Sequence, residues 1–420
     1  MSSPPSTLIM GLGHPRQTAF LGSLGRAGLP VHAVHTETKA HRLSRYLTSF
    51  ALLPADPGGQ LDQVEQFGRA TGGLLIPTND NYVALVAQNR ERLARHFTIP
   101  LPDWEIVGRV FDRETAYATA QAIGIGVPRH WCPKSEAELH SAVAALDPDN
   151  SDYMLKTRSV LGAFADPQTG RQTKAAPRGR EAILRAAVEW HARIGDYPIV
   201  QEVVPGSADS SIGITMVIGP HGGVVLAYGV RRLRLAAYRV DGGYVHPYEL
   251  GSVVWCETVH DAEAMEAARA IARAFTYTGP LTVEFRRVER TGALYLTKLE
   301  PRPVRATALS RAIGMDIPNA LVAAFTGGTP RVAADYPDGV GWLWFQAYGA
   351  SLIRNPHRTR RDMLRVAREF HRIKAFAEDL ADPVPIAAGL LRMGSRAALR
   401  PFSRLRPAPV SALQSTAAAE

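Results

Sequence analysis

The chain of 420 residues is 46% hydrophobic and 21% charged, with 30 prolines and 8% aromatics, which offers core for two to four structural units and excludes a disordered or collagen-like chain. No apolar run reaches about 18 residues, so a transmembrane helix is excluded. Two cysteines, Cys132 and Cys256, build neither a disulfide framework nor a zinc site. The net charge of +9 is carried mostly by arginine, much of it after residue 350 in "RNPHRTRRDMLRVAREFHRIK" and "LRMGSRAALRPFSRLRP". These arginines recur at helical spacing and read as solvated helix faces. No RNA-binding sheet signature or zinc finger accompanies them, so nucleic acid is not an expected partner. The start "MSSPPSTLIMGLGHPR" shows no basic leader, long apolar stretch or cleavage site, and the expected compartment is the cytoplasm.

The first hundred residues alternate strand and helix. "STLIMGLG" is a strand into a glycine turn, "RQTAFLGSLGRAG" a helix closed by glycine, and "LPVHAVH" a second strand. "QLDQVEQFGRATG", "GLLIPTN" and "NYVALVAQNRERLARHF" continue as helix, strand and helix. This is the pattern of an open, doubly wound parallel sheet. Gly11-Leu12-Gly13 starts like a dinucleotide fingerprint, but Arg16 stands where its third glycine would be. The glycines are read as a tight exit from a strand.

From Phe111 the texture changes. "DRETAYATAQAIGIGVPRHW" predicts a helix, a glycine-rich exit and a strand, and "YMLKTRS" a short strand that carries Lys156. "VLGAFADPQTGRQTK" reads as a polar loop, and "YPIVQEVVPGS" as a strand stopped by a Pro-Gly turn. "GITMVIGPHGGVVLAYGVRRLR" and "TGPLTVEFRRVERTGALYLTKLEPRP" are hairpins, turning at 220–223 and at Thr291-Gly292. Between them "HDAEAMEAARAIARAF" is an amphipathic helix, and "ATALSRAIGMDIPNALVAAFTGG" adds two more, split by a proline. The second hairpin ends oddly. Lys298 and Glu300 share one strand face beside Pro301 and Arg302, where an apolar strand would be expected to finish in core or in water.

Singly, these signals admit bland readings. Lys156 could be an edge charge, Gln201-Glu202 a solvent-facing pair, Glu284 a solvent-facing carboxylate and Lys298–Glu300 a surface pair. Taken in order, "FDRETAYATAQAIGIGVP", "YMLKTRS", "VQEVVPG", "VEF" and "KLEPRP" resemble the ATP-grasp superfamily, in particular its carboxylate–amine ligases of carbamoyl-phosphate-synthetase type. The likeness spans roughly residues 8 to 330.

The resemblance implies an α/β (α+β) fold: a Rossmann-like parallel-sheet domain at 1–108, a two-lobed ATP-grasp core with subdomains at 109–204 and 205–330, and a basic, mostly helical extension at 331–420. It implies that Arg113 and Lys156 neutralise phosphate oxygens. The stretch Gln201, Glu202, Val203 and Val204 would hold adenine, and Asp209 would accept from the ribose. Glu284 and Glu300 would hold Mg²⁺ against ATP, since a hard cation takes oxygen ligands. Arg232 and Arg302 would meet the γ-phosphate and acyl-phosphate oxygens, with Lys298 at the position of the family's second metal carboxylate and Glu300 at that of its asparagine. The implied reaction phosphorylates a small carboxylate with ATP and lets an amine displace the phosphate. The implied partners are those two small molecules, with a homodimer admitted. Because of Lys298 and Glu300 a second reading stays open: an ATP-grasp protein that binds a nucleotide or a partner without ligating. The acceptor pocket is expected on loops, around 236–256.

Overall fold

The structure is a computed structural model that describes residues 4–147, 152–159, 161, 164–166, 170–172, 174, 175, 177–237, 251–354, 356–389 and 391. The first unit runs β1 (Thr7–Met10), α1 (Pro15–Arg26), β2 (Val31–His35), β3 (Ser49–Leu52), α2 (Pro57–Thr71), β4 (Leu74–Pro77) and α3 (Asp80–Gln88). Its sheet has the order β3-β2-β1-β4 and is parallel throughout. Every residue of β1 is buried, because both faces of such a sheet are covered. Leu8 and Met10 face one core with Leu75, Val83 and Phe111. Ile9, between them, faces the opposite core with Phe20 and Leu24.

A helical bridge of α4 (Arg90–Leu93), α5 (Trp104–Phe111) and α6 (Arg113–Ala122) leads to a smaller lobe. That lobe contains β5 (His130–Trp131), α7 (Glu136–Ala144), β6 (Tyr153–Lys156), β7 (Phe164–Asp166), β8 (Gly170–Gln172), β9 (Lys174–Ala175), α8 (Arg180–Ile194) and β10 (Ile199–Glu202). Its antiparallel sheet has the order β5-β10-β6-β9, closed by Leu139, Leu155, Ile183, Trp190 and Val200. The segment expected as a loop after Lys156 instead holds a small hairpin, β7 on β8. Phe164 and Ala165 supply apolar strand residues that the surrounding glycines and polar groups masked.

The larger lobe follows with β11 (Ser211–Ile218), β12 (Val224–Ala237), β13 (Gly251–Thr258), α9 (Ala262–Ala274), β14 (Gly279–Arg287), β15 (Leu294–Glu300), α10 (Thr307–Ala312) and α11 (Ile317–Phe325). The extension contributes β16 (Gly341–Leu343), α12 (Phe345–Arg354), α13 (Pro356–Glu369) and β17 (Ile373–Phe376). The seven-stranded sheet has the order β15-β14-β11-β12-β13-β16-β17 and is antiparallel except for the last pair. The helices expected after residue 331 are therefore joined by two short strands, of which β17 forms the sheet edge. Ile212, Ile214 and Met216 pack on α9, while Val217, Tyr228 and Cys256 on the other face share a core with Ile9, Phe20, Leu309 and Leu321. That shared core ties the large sheet to the first unit. The extension reinforces the tie where Arg26 pairs with Asp379 and Ser44 with Asp382. Both cysteines are free. No described helix is long and apolar enough to cross a membrane.

Candidate active site

The hairpin of β14 and β15 builds the centre of the site. Glu284 stands opposite Lys298, and Thr282 opposite Glu300. Lys298 pairs with Glu300 along the strand, as their common face requires, with the lysine side chain 29% and the glutamate 12% exposed. This is no surface pair. Glu284, expected by its alternation to face solvent, instead pairs with Arg232 of β12. The two strands are separated by β11, whose residue opposite Glu284 is Gly213. With no side chain there, Arg232 reaches across.

Past Pro301 the chain delivers Arg302, 7% exposed. Its guanidinium lies 3.1 and 3.3 Å from the two Glu300 oxygens and 2.5 Å from Asp80. Asp80 opens α3, where the helix N-terminus favours a carboxylate. Burial alone would raise the Glu300 carboxyl, but Arg302 and Lys298 more than offset it and hold it well below the usual range. Asp80 likewise resists burial through Arg302 and Lys298 and is lowered. For Arg302, burial is outweighed by Glu300 and Asp80, which raise it; for Arg232, burial is outweighed by Glu284. Arg232, Lys298 and Arg302 thus balance Glu284, Glu300 and Asp80 in a partly dehydrated cluster.

On the lid side, Asp112 caps α6 by accepting from Thr115 N–H at 2.7 Å, so that Arg113 starts the helix at the lid strand. Arg113 donates to Thr157 Oγ1 at 2.8 Å and to the Thr157 carbonyl, which places it against the residue after Lys156. Its pKa is lowered by burial. Lys156 ends β6, partly buried, opposite Ile199 and Lys174. The hinge is neutral by contrast. Gln201, 2% exposed, accepts from Tyr117 Oη at 2.8 Å and donates to the Glu202 carbonyl at 3.3 Å. Its side chain thus faces the protein interior. Glu202 N–H bonds Arg129 O and Val203 N–H bonds Asp152 O, at 2.9 and 2.8 Å, while Val203 and Val204 are buried. Asp209 stands apart on an exposed turn, where Ser207 donates to both Asp209 and Glu289.

The structure therefore brings Arg232, Glu284, Lys298, Glu300 and Arg302 together, with Arg113 at the start of α6 bonded to Thr157, the residue after Lys156. It reveals three partners that sequence reasoning missed. Asp80 falls between the strand "GLLIPTN" and the helix "NYVALVAQNRERLARHF", and neither reading includes it. Tyr117, fully buried and pushed up to about 12 by burial, also reaches the Thr297 carbonyl at 3.3 Å, joining hinge to hairpin. Arg16, read only as a missing glycine, is 6% exposed beside the cluster. Of the expected acceptor segment 236–256, residues 238–250 lie outside the described residues.

Magnesium at a nucleotide needs one or two protein carboxylates, because phosphates and water complete its shell. Glu284 and Glu300 would supply two. Lys298 stands opposite Glu284, and no group of three or more His, Cys, Asp or Glu that could hold a metal gathers among the described residues.

A small antiparallel lobe and a large antiparallel sheet closing on a hairpin with paired carboxylates, preceded by a parallel α/β unit, make the ATP-grasp fold. No protein-family model matches the sequence, and no curated protein matches it. Among solved structures, N5-carboxyaminoimidazole synthetase from Staphylococcus aureus, complexed with ADP, is similar at TM-score 0.58 and 16% identity, over 80% of this chain and 81% of that one. The biotin carboxylase domain of the Hydrogenobacter thermophilus 2-oxoglutarate carboxylase, in complex with MgADP, ADP and bicarbonate, is similar at 0.59 and 13%, over 81% and 74%. An L-amino acid ligase from Bacillus licheniformis is similar at 0.56 and 12%, over 81% and 79%.

Proposed function

We propose that the protein is an ATP-dependent ligase that activates a small carboxylate as an acyl phosphate and joins it to an amine. The observation that carries this reading is the cluster of Arg232, Glu284, Lys298, Glu300 and Arg302 at the end of the β14–β15 hairpin. The similar folds of an ADP-bound N5-carboxyaminoimidazole synthetase and of an L-amino acid ligase support it.

ATP enters between the lobes, with adenine at Glu202–Val204 and Asp209 toward the ribose. Lys156 and Arg113 neutralise phosphate oxygens, the ammonium as a point charge and the guanidinium as a fork. Glu284 and Glu300 would hold Mg²⁺, which would draw charge from the phosphate oxygens. Arg232 and Arg302 face the γ-phosphoryl group and the substrate carboxylate, while Lys298 neutralises phosphate. The carboxylate oxygen attacks the γ-phosphorus and ADP leaves. The amine nitrogen then attacks the acyl carbon, and inorganic phosphate departs. Positioning and charge neutralisation supply the catalysis, and no side chain acts as nucleophile.

The test is ADP release against pools of amino acids and other small acids, with and without amines. Release that needs both an acid and an amine supports the ligase. Nucleotide binding with no acid-dependent turnover would favour the second reading, a protein that binds without ligating, for which Lys298 at a metal-donor position is the motive. The fold and the absence of a membrane-spanning helix among the described residues are consistent with the cytoplasmic, small-molecule setting we infer.

A further inference from the structure

Helix α13 meets solvent with an apolar face. Its inner side is fixed by Arg365 and Val366. Arg365 lies over the Trp255 ring at 5.2 Å and pairs with Glu369 at 3.3 Å, and Val366 packs against the cluster of Leu233, Trp255, Tyr348 and Ile373. Successive helix residues advance by about 100°, so Met363, Leu364 and Ala367 fall on the opposite side. All three are exposed. Met363 and Leu364 are more than half exposed, as is Phe370 in the turn that follows. Arg365, expected on a solvated face, is thus turned inward, while methionine and leucine stand in solvent. A surface helix ordinarily packs its apolar stripe on the core. Here Trp255 belongs to β13, separated from β14 by β11 and β12, so the stripe lies apart from the Glu284–Glu300 pair.

Positive charge surrounds this stripe. Arg368 and His371 are exposed beside it, and the acidic neighbour Glu369 is held by Arg365. Residues 354–374 carry eight Arg or Lys against two Asp or Glu. Residues 391–406 carry five Arg and no acidic residue, set among Leu391, Met393, Leu399 and Phe402. An apolar stripe ringed by cations complements a surface that is negative on top and apolar beneath.

We propose that α13 docks the protein on a bilayer of anionic phospholipid. The helix lies in the headgroup plane, with Met363, Leu364 and Phe370 at the acyl boundary and Arg368 against lipid phosphates. The contact is peripheral. The 14 residues of α13 are too few to span a hydrocarbon core of about 30 Å at about 1.5 Å per residue. Two other occupants fit less well. A nucleic acid would meet the arginines but offers Met363, Leu364 and Phe370 nothing apolar along its phosphates. A second copy across a two-fold axis would set this basic segment against itself, like charge to like. The inference goes beyond the ligase reading and does not depend on it, since none of these residues belongs to the nucleotide site.

Sedimentation of the full chain with vesicles of phosphatidylcholine and phosphatidylglycerol at about two to one, against pure phosphatidylcholine vesicles, tests it. The anionic vesicles should bind at least about tenfold tighter, and that binding should weaken at least about fivefold as salt rises from about 0.1 to about 0.5 M. Leu364→Asp combined with Phe370→Asp should weaken it at least about tenfold, and Arg368→Gln about fivefold. A circular-dichroism melt like the parent's checks that each variant folds, and Arg368→Gln carries the test where the double variant melts early. The proposal is overturned if anionic vesicles do not bind the parent, if neutral vesicles bind it equally, or if the folded variants bind like the parent. A parent that ignores vesicles but self-associates, or binds duplex DNA, through these same residues overturns it in favour of that partner.

Discussion

The strip at 201–204 and the hairpin junction are built on opposite principles. At the hinge, Tyr117, Gln201 and the backbone of 202–204 form a neutral, buried, hydrogen-bonded strip. At the junction, six charged side chains from β12, β14, β15 and α3 neutralise one another. An adenine edge is neutral and flat, so a rigid backbone strip suits it and needs no counter-ion. A triphosphate with its metal brings several charges, so the groups that meet it must be charged and must be kept company until it arrives. On the proposed reading the junction keeps its charges in internal ion pairs that a nucleotide and its metal would exchange, whereas the 201–204 strip is held by neutral hydrogen bonds, with Glu202 and Arg129 in a looser contact at 3.9 Å.

Glu300→Gln should break the comparison most severely. It removes the partner shared by Lys298 and Arg302, and an uncompensated buried charge costs about 3–5 kcal/mol. Urea unfolding checks this, and a loss under about 1 kcal/mol would mean that water already screens the cluster. Lys156→Ala should come next, weakening ATP binding about 10- to 100-fold by calorimetry with the fold intact, because the charge removed meets phosphate and no core depends on it. Unchanged affinity would remove Lys156 from the site.

The pH dependence sharpens the contrast. Asp80 and Glu300 are held below their ordinary values, so the stability they contribute is fully present above the unfolded carboxyl range of about pH 4. It is lost as pH falls through their folded values. Urea midpoints should therefore hold between pH 7 and 5 as far as these groups are concerned and fall at lower pH, and Asp80→Asn should flatten that acid limb. A parent and a variant with the same acid limb would show that the pairs carry no linkage.

At the hinge, Tyr117→Phe deletes a hydroxyl that bonds Gln201 and Thr297, at a cost of about 1–2 kcal/mol that should not change with salt or with pH from 4 to 8. A salt-dependent loss would mean that the hinge is electrostatically coupled to the junction. The smallest effect is expected from Lys298→Glu, which adds a carboxylate opposite Glu284 and should steepen the Mg²⁺ dependence of nucleotide binding by about one ion. If Lys298→Glu and Lys298→Ala both keep the parent's Mg²⁺ dependence, the lysine has no part in binding phosphate.

Much of the architecture was legible along the chain because it is written in local periodicity. The apolar runs of β1 and β4, the glycine turns and the two hairpins announced themselves. The cluster of Glu284, Lys298, Glu300 and Arg302 followed from the hairpin's register, while Arg113, Lys156 and Gln201–Val204 remain proposed parts of the site. The β7–β8 hairpin and the strands β16 and β17 were not legible. Unlike the fully apolar runs of β1 and β4, they are shorter or of mixed polarity, and they exist because a neighbouring strand offers hydrogen bonds.

By itself, then, the sequence determined the element types, the order of the site residues and the shared face of Lys298 and Glu300, since each follows from neighbours within a few positions. Only the tertiary structure decided the partners. Asp80 lies 222 residues from Arg302, Arg305 lies 291 from His14, and Arg232 finds Glu284 across an intervening strand. Whether a charge is a solvated surface group or half of a buried pair depends on which distant backbone folds over it. That is set by the packing of the first unit against the large sheet, and no local pattern encodes it.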